Sequence, residues 1–266
     1  MEEQVENKAE FLLSSDTISW YWLDMIFQIA KEINFDGIDL ALWKSFDCWN
    51  VSYVKTLTEK YNIPVKVVQV SGRVNSREMN KAVDMAKELD VDTISINPPA
   101  ITDYKTYKFI TDSLGAYRRQ NPKIKFCIIN PPKSSFFILP IPKYYFTNVV
   151  EIIKKYKSYL GLDIANLDET SLEVNFLRKI SNFVPYIWVV YLSDKTKTWV
   201  WHVGLWDWAL NLTKILKKFK QHEYFSYFSL KLDIEKNDLA DVDKIKQILK
   251  KSRLFYKENF EDLVIK

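Results

Sequence analysis

The sequence predicts a single α/β domain, a closed (β/α)8 TIM barrel, and three observations predict it. Eight β-rich runs alternate strictly with amphipathic helical runs. The 266 residues match the roughly 250 that such a barrel needs. Several strand runs are continuously apolar and rich in β-branched residues, as parallel strands covered on both faces require. Residues 1–266 therefore read as one barrel domain, with 1–8 a short polar N-terminal extension.

Taken in order, AEFLLSS from Ala9 opens the barrel, and a helix phased on Leu23, Ile26, Phe27 and Ala30 follows it. FDGIDLAL from Phe35 and PVKVVQV from Pro64 are the second and third strands, followed by a helix on Met79, Ala82, Val83 and Ala86. VDTISIN from Val91 and IKFCIIN from Ile124 are the fourth and fifth. A helix on Val149, Ile152, Ile153 and Tyr156 leads into YLGLDI from Tyr159. PYIWVVYL from Pro185 and YFSLKLDI from Tyr227 complete the set, with helices phased on Leu212, Ile215, Leu216 and Phe219 and on Val242, Ile245 and Leu249. Strict alternation of this kind implies parallel strands joined by right-handed crossovers.

Composition excludes several classes. No run approaches the roughly 18 apolar residues of a membrane helix, and MEEQVENK does not resemble a secretory signal, so a cytoplasmic protein is expected. The net charge of +4 is spread along the chain without a basic tract, which disfavours nucleic acid as a partner. Five glycines leave little material for a phosphate-binding loop, and none of that kind is present. Cys127 falls in an apolar strand and reads as a small buried hydrophobe; neither it nor Cys48 suggests a disulfide or a catalytic thiol.

In barrel enzymes the site lies at the C-terminal ends of the strands. Here the fifth to eighth strands end in Asn130, Asp163, Tyr191 and Lys231. SINPP and IINPP repeat at neighbouring strand ends, placing Asn97 and Asn130 either as turn residues or as amides facing a common cavity. The loops after the first, second and seventh strands hold eight of the nine tryptophans, among them Trp20, Trp43, Trp201 and Trp206. These rings are placed either to wall a sugar-sized cavity or to pack loops and an oligomer interface. His202, in the long loop after the seventh strand, reads as a surface residue or a ligand contact.

GIDLAL, LGLDIAN, VVYLSD, a loop with Gly204 and WDW, and SLKLD occur in order over nearly the whole chain. Together they resemble the xylose isomerase-like superfamily of sugar phosphate isomerases and epimerases. The resemblance implies a metal held by a Glu, an Asp, a His and a Glu on the last four strands. In this sequence those positions are Asn130, Asp163, Tyr191 and Lys231. An amide is a poor ligand for a hard cation and an ammonium repels one, so no metal ligand set is assigned. A weak divalent site of His202 with Asp163 and Asp194 remains an alternative. The resemblance implies isomerase or epimerase-like chemistry on a small carbohydrate-like ligand. Asp163 and Lys231, if they face one another across the mouth, read as a structural salt bridge, as a charge pair that binds the ligand, or as the acid/base pair of that chemistry with Tyr191 as a donor. Asn97, Asn130, Trp20, Trp43, Trp201, Trp206 and His202 would then contact the ligand. The competing expectation is an inactive barrel that binds a ligand or a protein, and a homo-oligomer is compatible with both.

Overall fold

In the computed structural model, residues 8–70, 73–132, 143–146, 149–167, 180–195, 201–205, 210–234, 238 and 240–265 are described, with the backbone alone at 149, 150 and 201. The strands in chain order are β1 (Glu10–Ser14), β2 (Gly37–Ala41), β3 (Val65–Val70), β4 (Thr93–Ile96), β5 (Lys125–Ile129), β6 (Tyr159–Asp163), β7 (Ile187–Leu192), β8 (Asp194–Lys195), β9 (Trp201–Val203) and β10 (Tyr227–Leu230). Eight of them close into a barrel in the order β1-β10-β7-β6-β5-β4-β3-β2, and every pair in that ring is parallel. This is the (β/α)8 barrel that the alternation predicts. β8 and β9 form a separate antiparallel hairpin after β7.

The helices are α1 (Leu23–Ile33), α2 (Val51–Tyr61), α3 (Ser76–Glu88), α4 (Tyr104–Asp112), α5 (Leu114–Gln120), α6 (Val149–Lys154), α7 (Leu212–Gln221) and α8 (Val242–Tyr256). Asn50, Asn75, Asp103, Asn211 and Asp241 cap the N-termini of five of them by accepting backbone N–H groups, the usual work of short polar side chains there. α1 and α2 each end on an Asn in the left-handed region, Asn34 at φ 61° and Asn62 at φ 51°.

The strands face two ways. Residues such as Leu13, Leu40, Val68, Ile94, Ile128, Leu162, Val190 and Leu230 join the helices in one large apolar core. The alternate positions point into the barrel. There Leu12, Val67, Ile129, Val189 and Tyr191 form a small second cluster. Ser14, Asp39, Gln69, Ser95 and Ser229, all fully buried, occupy matching positions nearer the strands' C-terminal ends. The strands are thus less uniformly apolar than their sequence suggests, because the outward face alone supplies the main core.

Two side chains tie the mouth together. Thr17 donates to the Leu230 carbonyl at 3.1 Å and accepts from the Leu232 N–H at 3.0 Å, while Ser15 Oγ accepts from the Ala41 N–H at 2.8 Å. Among the described residues no helix is long and apolar enough to cross a membrane, and both cysteines are buried and unpaired.

Gly37 starts β2 where a Cβ would lie 2.8 Å from the Pro64 carbonyl oxygen. Gly37→Ala is therefore expected to lower stability by about 1–3 kcal/mol in urea unfolding. Gly115→Ala, in α5 with no contact nearer than 3.7 Å, is expected to hold or raise it by up to about 1 kcal/mol.

Candidate functional site

The site is built around Asp163, the last residue of β6 and only 1% exposed. Its position is fixed by Asn130, just beyond β5. The Asn130 Nδ2 donates to the Asp163 carbonyl at 3.0 Å, and its Oδ1 accepts the Asp163 N–H at 2.6 Å. A side-chain amide thereby takes the place of one further peptide in the β5–β6 ladder. Of the two readings of Asn130, a turn residue or an amide facing a cavity, the hydrogen bonds engage one N–H and the oxygen of the amide with backbone. Asn97 follows β4 directly and is half-buried.

The Asp163 carboxylate faces two nitrogens. Lys231 Nζ lies 3.9 Å from Oδ2 and His202 Nε2 lies 3.6 Å from the same oxygen. Oδ1 is buried and has no hydrogen-bond partner. Lys231 continues past β10, its N–H donating to the Leu192 carbonyl at 3.2 Å. Its ammonium sits 5.3 Å from the centroid of the Tyr191 ring, a cation–π distance. The Lys231 side chain keeps 15% exposure, so the pair opens toward the mouth.

His202 reaches Asp163 because the β8–β9 hairpin folds back. Asp194 Oδ1 accepts the N–H groups of Lys195 and Leu210 at 2.7 and 3.0 Å, and Lys195 Nζ donates to the Leu167 carbonyl at 2.6 Å. The Asp233 N–H donates to the His202 carbonyl at 2.7 Å. His202 itself adopts φ 59°, in the left-handed region where a non-glycine residue needs support. Its Nδ1 lies 2.9 Å from Ser193 Oγ. Asp194 Oδ1 thus helps to hold the hairpin.

Tyr191 is fully buried inside the barrel. Gly161 makes room for it, since a Cβ there would meet Tyr191 Cε2 at 3.2 Å and Ile129 Cγ1 at 3.1 Å. Burial pushes its phenol well above the usual range, and the charge of Asp39 adds to the effect. The Ser95 hydroxyl beside it acts in the opposite direction, although the two approach without forming a hydrogen bond and both oxygens lack partners. Tyr191 therefore meets Lys231 with its ring, and its hydroxyl points into the lumen.

Asp39, the acidic residue of GIDLAL on β2, belongs to a polar set with Ser14, Gln69 and Ser229, three lumen residues that the strand-end reading missed. Asp39 Oδ2 accepts from Ser229 Oγ at 2.6 Å and from Gln69 Nε2, and Gln69 Nε2 also lies 3.2 Å from Ser14 Oγ. Burial raises the Asp39 carboxyl to about 7, against the pull of those two hydrogen bonds and of Lys231. The available signal was the period of two: Tyr227, Ser229 and Lys231 alternate with Phe228, Leu230 and Leu232.

The aromatic loops are only partly joined to this site. Trp20 and Trp22 are 69% and 74% exposed, Trp43 is half-buried, and Trp49 lies 5.7 Å beneath Lys81 Nζ. Of Trp201 only the backbone is described, and Trp206 lies outside the described residues.

No family model and no curated protein matches the sequence. Solved structures do match. A xylose isomerase domain protein from Alicyclobacillus acidocaldarius superposes with TM-score 0.70 at 10% identity over 95% of this chain and 98% of that one. A sugar phosphate isomerase/epimerase from Parabacteroides distasonis gives 0.65 at 13% identity over 96% of each chain. An L-ribulose 3-epimerase gives 0.65 at 10% identity over 95% of each. The chain has the xylose isomerase-like barrel fold.

The metal that the resemblance to those barrels implies is a poor match to the donors present here. Asn130 is spent on backbone, Tyr191 offers a buried neutral phenol, and Lys231 brings a positive charge to the remaining carboxylate. A hard cation takes about six or more oxygen ligands, carboxylates foremost. Among the described residues no three His, Cys, Asp or Glu side chains converge.

The raised carboxyl gives a pH prediction. Asp39 rises from an ordinary 3.8 to about 7 in the fold, so the folded state holds the proton more tightly. The stability this lends is complete below the ordinary value and is lost as pH rises through about 7. Asn mimics the protonated carboxyl, so Asp39→Asn is expected to equal the wild type near the acid end. It should exceed the wild type by up to about 4 kcal/mol above neutrality, read by urea unfolding across pH. A wild-type stability that rises over that window contradicts the assignment.

Proposed function

We propose that this barrel is an isomerase or epimerase of small polyhydroxylated carbonyl compounds that works without the divalent metal its fold relatives suggest. The observation that carries this reading is the unpartnered oxygen of Asp163 beside the Lys231 ammonium at the C-terminal mouth. Asp163 removes a proton from the carbon next to a substrate carbonyl. The electron pair moves onto the carbonyl oxygen, where Lys231 stabilises the developing enediolate, a placement of fixed charge that commonly dominates such rate enhancements. The Tyr191 ring supports the ammonium from below, and His202 orients the carboxylate. Asn97, beyond β4, and Trp43, beyond β2, would meet the sugar, and Trp201 and Trp206 are proposed to join them. Free ketoses are the substrate class, acted on in the cytoplasm.

A second reading, a barrel that binds without converting, is favoured by Trp20 and Trp22, whose rings stand in solvent on loops beside the mouth. One assay separates the two. Chelator-treated protein is incubated in heavy water with D-fructose, D-tagatose or L-ribulose, and deuterium entry at the carbon beside the carbonyl is followed by proton NMR. Exchange is expected with at least one ketose, falling about 10²-fold or more in Asp163→Asn and comparably in Lys231→Met. Saturable binding with no exchange supports the second reading. Unchanged exchange in Lys231→Met removes the ammonium from the mechanism.

A further inference from the structure

At the end of the barrel away from Asp163, the turns that lead into β5 and β6 enclose a cavity of about 460 Å³ between the C-terminal ends of α5 and α6. Arg118 and Arg119 enter it from the last turn of α5, Lys125 from the first position of β5, and Lys155 and Lys157 from the turn between α6 and β6. None of its described lining residues is acidic. Elsewhere the surface answers its cations with carboxylates, as in Lys60 with Asp24, Lys66 with Glu10, Lys246 with Glu32 and Arg253 with Glu261. Of the cavity's five cations only Lys155 has such a partner among the described residues, Glu151 at 3.3 Å.

Cations are favoured at helix C-termini, which accounts for Arg118 and Arg119 taken singly. It does not account for Lys125 and Lys157, which lie off the helices and face the same space. Lys157 sits at φ 50°, in the left-handed region, where glycine or asparagine is the usual occupant and where this chain places Asn34 and Asn62 at two other turns. Lys125 Nζ lies 5.6 Å from the centroid of the Tyr159 ring and 5.3 Å from that of Trp188. Ring faces hold its charge in place of a carboxylate and leave its N–H groups to donate. Arg118 Nη1 donates to the Tyr156 carbonyl at 3.1 Å, which fixes the guanidinium plane while its remaining N–H groups have no other acceptor among the described residues. A concave site lined by one sign of charge focuses the field and concentrates ions of the opposite sign.

We propose that this cavity binds a small anion carrying two or more linked phosphate groups, with Arg118 and Lys125 as its anchors. The guanidinium fork matches the oxygens of one phosphate, and the lysines act as point charges on the next. The space is larger than one phosphate fills, and the Tyr156 and Tyr159 rings offer an apolar edge for the organic part of the ligand. β6 runs from Tyr159 at this cavity to Asp163 at the mouth, and β5 runs from Lys125 toward Asn130. The ligand is therefore not the substrate of the reaction proposed above, and the assignment does not depend on that reading.

Isothermal titration calorimetry at physiological salt, with inorganic pyrophosphate and with ADP, tests this. One site per chain is expected. Arg118→Gln and Lys125→Met, each checked for native circular dichroism, are expected to weaken binding by about 10-fold or more. The double variant Arg119→Gln with Lys157→Asn changes exposed residues and puts an asparagine in the left-handed turn, so it is expected to weaken binding by a similar factor with stability in urea retained. Lys217→Met on α7 and Lys231→Met at the mouth are expected to leave binding unchanged. Failure of both probes to bind the wild type, unchanged binding in the double variant, or loss of binding in Lys231→Met overturns the proposal. Citrate bound as tightly as pyrophosphate removes phosphate as the recognised group. A short single-stranded oligonucleotide that binds through the same residues more tightly than either probe overturns the small-molecule assignment in favour of a nucleic-acid backbone.

Discussion

Closure of the parallel ring sorts every strand residue into one of two environments, and the rest of the molecule follows from that sorting. Outward positions must be apolar because they form one continuous core with the helices. Inward positions are free of that demand toward the C-terminal end, and this chain uses them for Ser14, Asp39, Gln69, Ser95, Asp163 and Ser229. Tyr191 is the hinge of the arrangement. Its ring fills the lumen against Gly161 and carries Lys231 above, while its hydroxyl belongs to the polar set within.

In the proposed reading the Lys231 ammonium takes the electrostatic place of the metal that the family resemblance implies. The exchange is not equivalent. A divalent ion binds several oxygens at once, whereas an ammonium offers three hydrogen bonds and one charge. A pair at 3.9 Å with the lysine 15% exposed and the aspartate 1% exposed is neither a dry internal bridge nor a surface one. Its desolvation is shared with the mouth, which is where a substrate oxygen would complete it.

Much of the barrel was legible because parallel strands covered on both sides leave long β-branched runs, and five of the helices between them are phased clearly, although α2, α4 and α5 were not singled out. Asp163 and Lys231 were legible for the same reason: a charged residue ending an apolar run stands out in LGLDI and SLKLD. The rest depends on register and loop geometry. Asn130 is seen to serve backbone only when β5 is aligned with β6, and sequence does not encode that alignment locally. His202 reaches Asp163 through a hairpin whose backbone passes through the left-handed region, which no local pattern in KTKTWVWHV announces. The lumen set was hidden by small polar residues, since Ser95 and Ser229 interrupt a strand's hydropathy too little to stand out.

The claim that an ammonium stands where a metal would bind is tested most directly by titrating manganese into the wild type and the Asp163→Asn variant and following free ion by electron paramagnetic resonance. The account predicts the same weak, sub-stoichiometric uptake in both, with tighter binding appearing when Lys231→Glu restores a carboxylate. Near-stoichiometric manganese in the wild type, lost in Asp163→Asn, would contradict it.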